Sequence, residues 1–172
     1  MAQTFIAYYP NIAFAATKNM AAIINQHATE VLKVREVVLS NAQTTGVTGV
    51  ICQMELRWYT AGTLTGPTAV TPVKLDSTNT NPTTAVYGHA GTIGGTPSTL
   101  WAWLWSSDEA AVSLATSDEL ECFTPLNKVY EWIPHSDIQP ITLRGGATEM
   151  CMVYNVSGAA GTLYTRITFT KE

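Results

Sequence analysis

The sequence predicts an all-β domain, an antiparallel, jelly-roll-like β-sandwich. Three observations carry this. Thr, Val, Ile and aromatic residues dominate and are broken at short intervals by Gly, Pro, Asn and Ser. Two long segments alternate apolar and polar residues strictly. Segments of helical periodicity are scarce, so strands do not alternate with helices as they do in α/β proteins.

The clearest strand is Val50–Tyr59. Val50, Cys52, Met54, Leu56 and Trp58 fall on one face and Gln53, Glu55 and Arg57 on the other, the mark of an antiparallel strand with one buried face. Residues 162–170 repeat the pattern, with Leu163, Ile167 and Phe169 opposite Tyr164, Arg166, Thr168 and Thr170. Residues 149–156 form a third strand, which the Ser157-Gly158-Ala159-Ala160-Gly161 turn pairs with the last strand as a hairpin. Residues 31–39 form a fourth, with 42–49 as the turn into Val50. Shorter strands are expected at 5–9, 12–16, 100–105 and 128–133. Residues 17–27 fit either a short helix or a strand. Residues 68–82 read as a loop around 70–75, and 106–121 carries a short helix at 108–114. The length and long loops favour a jelly roll over an immunoglobulin-like sandwich. One domain covers 1–172, with residues 1–10 as an N-terminal arm.

With 46% hydrophobic and 13% charged residues, the chain is not a disordered tail. So low a charge density implies that part of the surface is covered by other copies or by another protein. The net charge is −4 and the nine Lys and Arg are scattered, which argues against nucleic acid and anionic membranes as partners. The first sixteen residues lack a basic n-region and are interrupted by Pro10 and Asn11, unlike a signal peptide. No apolar run reaches bilayer-spanning length, and synthesis in a cytosol is expected.

Little in the sequence suggests chemistry. Cys52, Cys122 and Cys151 are odd in number and far apart, and the strand-borne Cys52 and Cys151 read as small buried apolar residues. His27, His89 and His135 lie far from one another and from any cysteine, so no metal-ligand spacing exists. Asp108, Glu109, Asp118, Glu119 and Glu121 lack the order of a calcium loop and read as a solvated face. Gly91, Gly94 and Gly95 sit in no phosphate-binding motif, and no G-x-S-x-G elbow occurs. Asn155-Val156-Ser157 matches a glycosylation sequon but reads as a turn. No catalytic residue, metal or cofactor is assigned. The most unusual feature is Trp101, Trp103 and Trp105, which alternate and so share one face of a strand. They fit the sandwich core, a subunit interface or a sugar platform, and they are the candidate subunit-interface residues.

The order of segments resembles a family. Val31-Leu32-Lys33-Val34-Arg35-Glu36-Val37-Val38-Leu39-Ser40 comes first, then Val50–Tyr59, then Thr71-Pro72-Val73-Lys74-Leu75-Asp76. The Trp-bearing strand 100–105 follows, and then a proline-bearing turn and hairpin, Gln139-Pro140-Ile141-Thr142-Leu143-Arg144-Gly145-Gly146. Over residues 28–170 this is similar to the capsid decoration (cement or head-fibre) proteins of tailed phages, with the acidic insertion 106–121 departing from the pattern. The resemblance implies a β-sandwich or jelly roll and a homotrimer. It also implies attachment to the major capsid protein on the virion exterior, with host cytoplasm as the place of assembly.

The function expected is therefore structural, not enzymatic: a protein that binds the outside of a capsid and stabilises it. The alternative is a phage tail or fibre module that recognises host carbohydrate through Trp and Tyr side chains in loops. A cupin-like enzyme would need clustered histidines, which the sequence lacks.

Overall fold

The structure, a computed structural model, describes residues 2–13, 15–42, 50–82, 85–107, 128–157 and 161–172. The expected helix at 108–114, the turn 43–49, Cys122 and the five insertion acids lie outside the described residues. The described chain is all-β. Its long strands are β1 (Gln3–Ala13), β2 (Lys18–Asn25), β3 (Val31–Asn41), β4 (Val50–Tyr59), β10 (Pro97–Ser107), β13 (Met150–Asn155) and β14 (Thr162–Lys171). Shorter ones are β5 (Thr63–Thr65), β6 (Thr68–Ala69), β7 (Val73–Lys74), β8 (Ala85–His89), β9 (Thr92–Gly94), β11 (Lys128–Trp132) and β12 (Ile141–Arg144). A single 3-10 turn, Gly145–Ala147, follows β12.

Among the described residues the strands form two six-stranded antiparallel sheets and a small two-stranded one, β5 with β9. The first runs β11-β3-β14-β1-β7, with β12 beside β11 on the same edge of β3. The second runs β10-β4-β13-β2-β8-β6. Underneath lies a simple wind. A long two-stranded ribbon pairing β1 with β14, β2 with β13, β3 with β11/β12 and β4 with β10, when rolled up, brings β14 against β3 and β13 against β4. All six pairings are present. The segment between β4 and β10 then extends both sheets: β7 adds to β1, and β8 with β6 adds to β2.

The core lies between the sheets. Phe5, Tyr9, Leu32, Leu39, Leu163, Ile167 and Phe169 from the first sheet meet Met20, Ile23, Met54, Leu56 and Val153 from the second. Phe169 stacks on Phe5 and on Tyr87, each at 5.4 Å, and so ties the two sheets. The Tyr9 hydroxyl donates to the Ala22 carbonyl at 2.7 Å, a hydrogen bond from one sheet to the other. A second cluster, Ala22, Ile24, Tyr59, Met150 and Met152, lies on the outer face of the second sheet, where Leu64 and Ile93 of the small two-stranded β5–β9 sheet pack against it.

That second cluster explains why residues 17–27 admitted both helix and strand. β2 is buried on both faces, so its apolar run is continuous and carries no period-2 signal.

Four expectations are corrected. The segment expected as an arm, 1–10, belongs to β1 from Gln3 onward, paired with β14 on one side and β7 on the other, with Phe5, Ala7 and Tyr9 fully buried. The separate strands at 5–9 and 12–16 are one strand, ending at Ala13, with an irregularity after Tyr9 where Asn11 takes φ 50°. β13 and β14 form no hairpin, because the ribbon roll sends them to opposite sheets, and β12 pairs with β3 instead of forming a hairpin after Pro140.

Candidate interaction site

β10 ends the second sheet, and its outer edge has no partner strand among the described residues. Its inner edge pairs with β4 in a register that shifts between Thr99 and Trp101, leaving Leu100 as the extra residue. A bulge of this kind re-aims the side chains that follow it. Beyond it Trp101, Trp103 and Trp105 stand opposite Leu56, Met54 and Cys52. The shared register expected of the three tryptophans is therefore present.

Their surroundings differ. Trp103 packs against the core, its ring stacked on Tyr130 of β11 at 3.9 Å and 7°. That contact joins the end strands of the two sheets and closes the sandwich on this side. Burial pushes the Tyr130 hydroxyl up to about 12. Trp101 is 54% exposed despite lying opposite the buried Leu56. Leu100 and Leu104 are exposed as well, at 43% and 69%. One strand thus presents three large apolar side chains to solvent beside a backbone edge that has no partner strand among the described residues.

Next to this edge, on the other face of β4, Arg57 forms an ion pair with Glu55 at 2.6 Å, and its guanidinium lies 3.7 Å from the Tyr154 ring centroid. Thr99 of β10 donates to the same Glu55 oxygen at 3.2 Å. This network fixes β10 to β4, and both ionic side chains are mostly covered, so it belongs to the scaffold.

The other residues singled out in the sequence do not converge. Cys52 and Cys151 are fully buried, and burial pushes their thiols up to about 11 and about 12. His27 Nδ1 accepts the backbone N–H groups of Thr29 and Glu30, which organises the bend before β3. His89 ends β8, and His135 sits on the exposed loop after β11. Among the described residues no group of three His, Cys, Asp or Glu is placed to hold a metal. Asn155 is fully buried at the end of β13, where a glycan has no room.

A second surface feature went unnoticed in the sequence. On the outer face of the first sheet, Tyr8, Val38, Ser40, Tyr164 and Arg166 line a depression of about 180 Å³. Tyr8 and Tyr164 stack at 5.8 Å, and Arg166 donates to Glu36 at 2.9 Å, as does the Thr168 hydroxyl. The alternation in 162–170 already put Tyr164 and Arg166 on one face. Tyr8 joins them only through the β1–β14 register, in which it lies opposite Arg166.

No protein family, curated protein or solved structure matches the chain. The all-β sandwich stands on its own geometry.

Proposed function

We propose that this chain is a structural protein of a phage particle: a jelly-roll homotrimer that binds the major capsid protein from outside and stabilises the shell. One observation carries the reading, the apolar strand β10, whose outer edge has no partner strand among the described residues. Natural proteins cover or blunt such edges, because an open row of N–H and C=O groups flanked by Leu and Trp recruits other chains. Trp101 is an anchor of the kind that dominates protein interfaces, and Leu100 and Leu104 extend the apolar surface beside it. A head-to-tail contact between this edge and another surface of the next copy closes into a ring, and three copies make the trimer. The rolled ribbon supports the jelly-roll assignment, since that pairing scheme is what the architecture consists of. The capsid as partner rests on the resemblance in the order of segments.

Mechanism here means adhesion. A trimer at a junction of capsid subunits makes three equivalent contacts, so avidity exceeds single-site affinity by about 10²–10⁴. Spanning that junction, it opposes outward rupture as DNA is packed. The role needs no catalytic group or cofactor.

The test is light scattering at micromolar concentration combined with co-sedimentation on undecorated capsids. Three chains per particle and saturable uptake are expected, and Trp101→Asp should lower both. A wild-type chain that stays monomeric and is not taken up by capsids overturns the proposal.

A further inference from the structure

The depression on the first sheet is built from strands at its centre, away from β10. We propose that it binds one neutral pyranose ring. A sugar ring presents a face of C–H groups and a rim of hydroxyls, and the depression offers both complements. Tyr8 and Tyr164 stack on each other, and the ring surface each leaves uncovered carries the negative side of an aromatic quadrupole, which attracts polarised C–H groups. Ser40 supplies a hydroxyl that both donates and accepts, and Arg166 supplies a planar fork of donors. Val38, 7% exposed, forms an apolar floor.

The groups are held in place before any ligand arrives. The two tyrosine rings restrain each other. Glu36 fixes the Arg166 guanidinium at 2.9 Å and is itself fixed by Thr168. All of them stand on β1, β3 and β14, which are paired along most of their length. A site on paired strands loses little entropy when it is filled.

Charge and size choose the ligand. The Arg166 charge is balanced by Glu36, so an acidic sugar would have to displace an existing ion pair, whereas a neutral one uses the remaining N–H donors. A volume of about 180 Å³ lies below the roughly 300–1,000 Å³ of drug-sized pockets, so the depression contacts a single ring. With Tyr8 44% exposed, the site is shallow and its affinity for a lone ring is weak. The inference holds whether the chain acts alone or as a trimer.

Saturation-transfer NMR on the full chain with the methyl glycosides of glucose, galactose, mannose and N-acetylglucosamine tests it. At least one should bind, and the backbone amides that shift in the wild-type protein should cluster at 8, 38, 40, 164 and 166. Tyr164→Ala should weaken binding at least about tenfold, and Tyr164→Phe, which keeps the ring, by less than about threefold. Thermal melts establish that each variant folds, and if one does not, the wild-type amide map decides. Binding by none of the four glycosides, shifts centred elsewhere, or full binding by a folded Tyr164→Ala each overturn the proposal. So does an oligomer that Tyr164→Ala dissociates while no glycoside binds, which would make the depression a contact between copies.

Discussion

Cys52 and Cys151 illustrate how burial decides chemistry. A thiol reacts as its thiolate, and burial raises both groups far enough that almost no thiolate exists near neutrality. In a Cys122→Ser background, a disulfide reagent at pH 8 should label neither residue in the folded protein and both in guanidinium. Rapid labelling of the native chain would contradict the burial of these strands. His89 makes the opposite kind of statement. Burial first, and then the Lys18 ammonium, lower its pKa, so the unfolded chain takes up a proton before the folded one does. Its effect on stability is absent above the ordinary histidine value of about 6.5 and grows as the pH falls below it, until the folded form also titrates. The melting temperature should therefore drop more between pH 7.5 and pH 5.5 in the wild type than in His89→Gln. Equal drops would show that His89 does not contribute.

At the scale of the element, β1 shows what sequence patterning can and cannot yield. Residues 5–9 were legible as a strand, but Phe5-Ile6-Ala7-Tyr8-Tyr9 is apolar throughout, so the sequence says neither which face is buried nor which strands lie on either side. Position near a terminus suggested an arm; pairing along both edges places the segment inside a sheet. Removing residues 2–10 deletes Phe5 and Tyr9 from the core. Losses of about 3–5 kcal/mol for each large aromatic approach the whole stability of about 5–15 kcal/mol of a typical domain. The deletion should abolish the cooperative melt, as circular dichroism would show, and a folded product would restore the arm. β4 and β14 were legible because each has one buried face, and β2 was ambiguous because it has two. The β5–β9 pair was missed because three-residue strands are too short to display a period, and its two strands lie far apart in the chain. Of the candidate site, the alignment of the tryptophans followed from spacing alone. The different exposures of Trp101 and Trp103 depend on β10 lying at the end of a sheet, which is a property of the fold.

For the whole molecule, the rolled ribbon makes most contacts distant in sequence. Folding is expected to be slow for a chain of this length, because loop closure is paid for before pairing rewards it. A chain ending at residue 157 tests how far the sheets depend on one another. It retains every strand of the second sheet but removes β14 from the middle of the first, along with Leu163, Ile167 and Phe169. It should show collapsed amide dispersion in NMR and rapid proteolysis, and a well-dispersed spectrum would mean that the second sheet folds alone.

The placement of β14 between β1 and β3 also sets a timetable on the ribosome. Both neighbours are synthesised well before the strand that separates them, and at about 5–20 residues per second β1 waits on the order of ten seconds for its partner. Throughout that interval Phe5, Tyr9 and Ile12 have no finished core to enter, and β1 and β3 could pair wrongly with each other. The nascent chain is therefore a natural client for a ribosome-associated holding chaperone, and its yield should depend on that factor most strongly when translation is slowed just before residue 162.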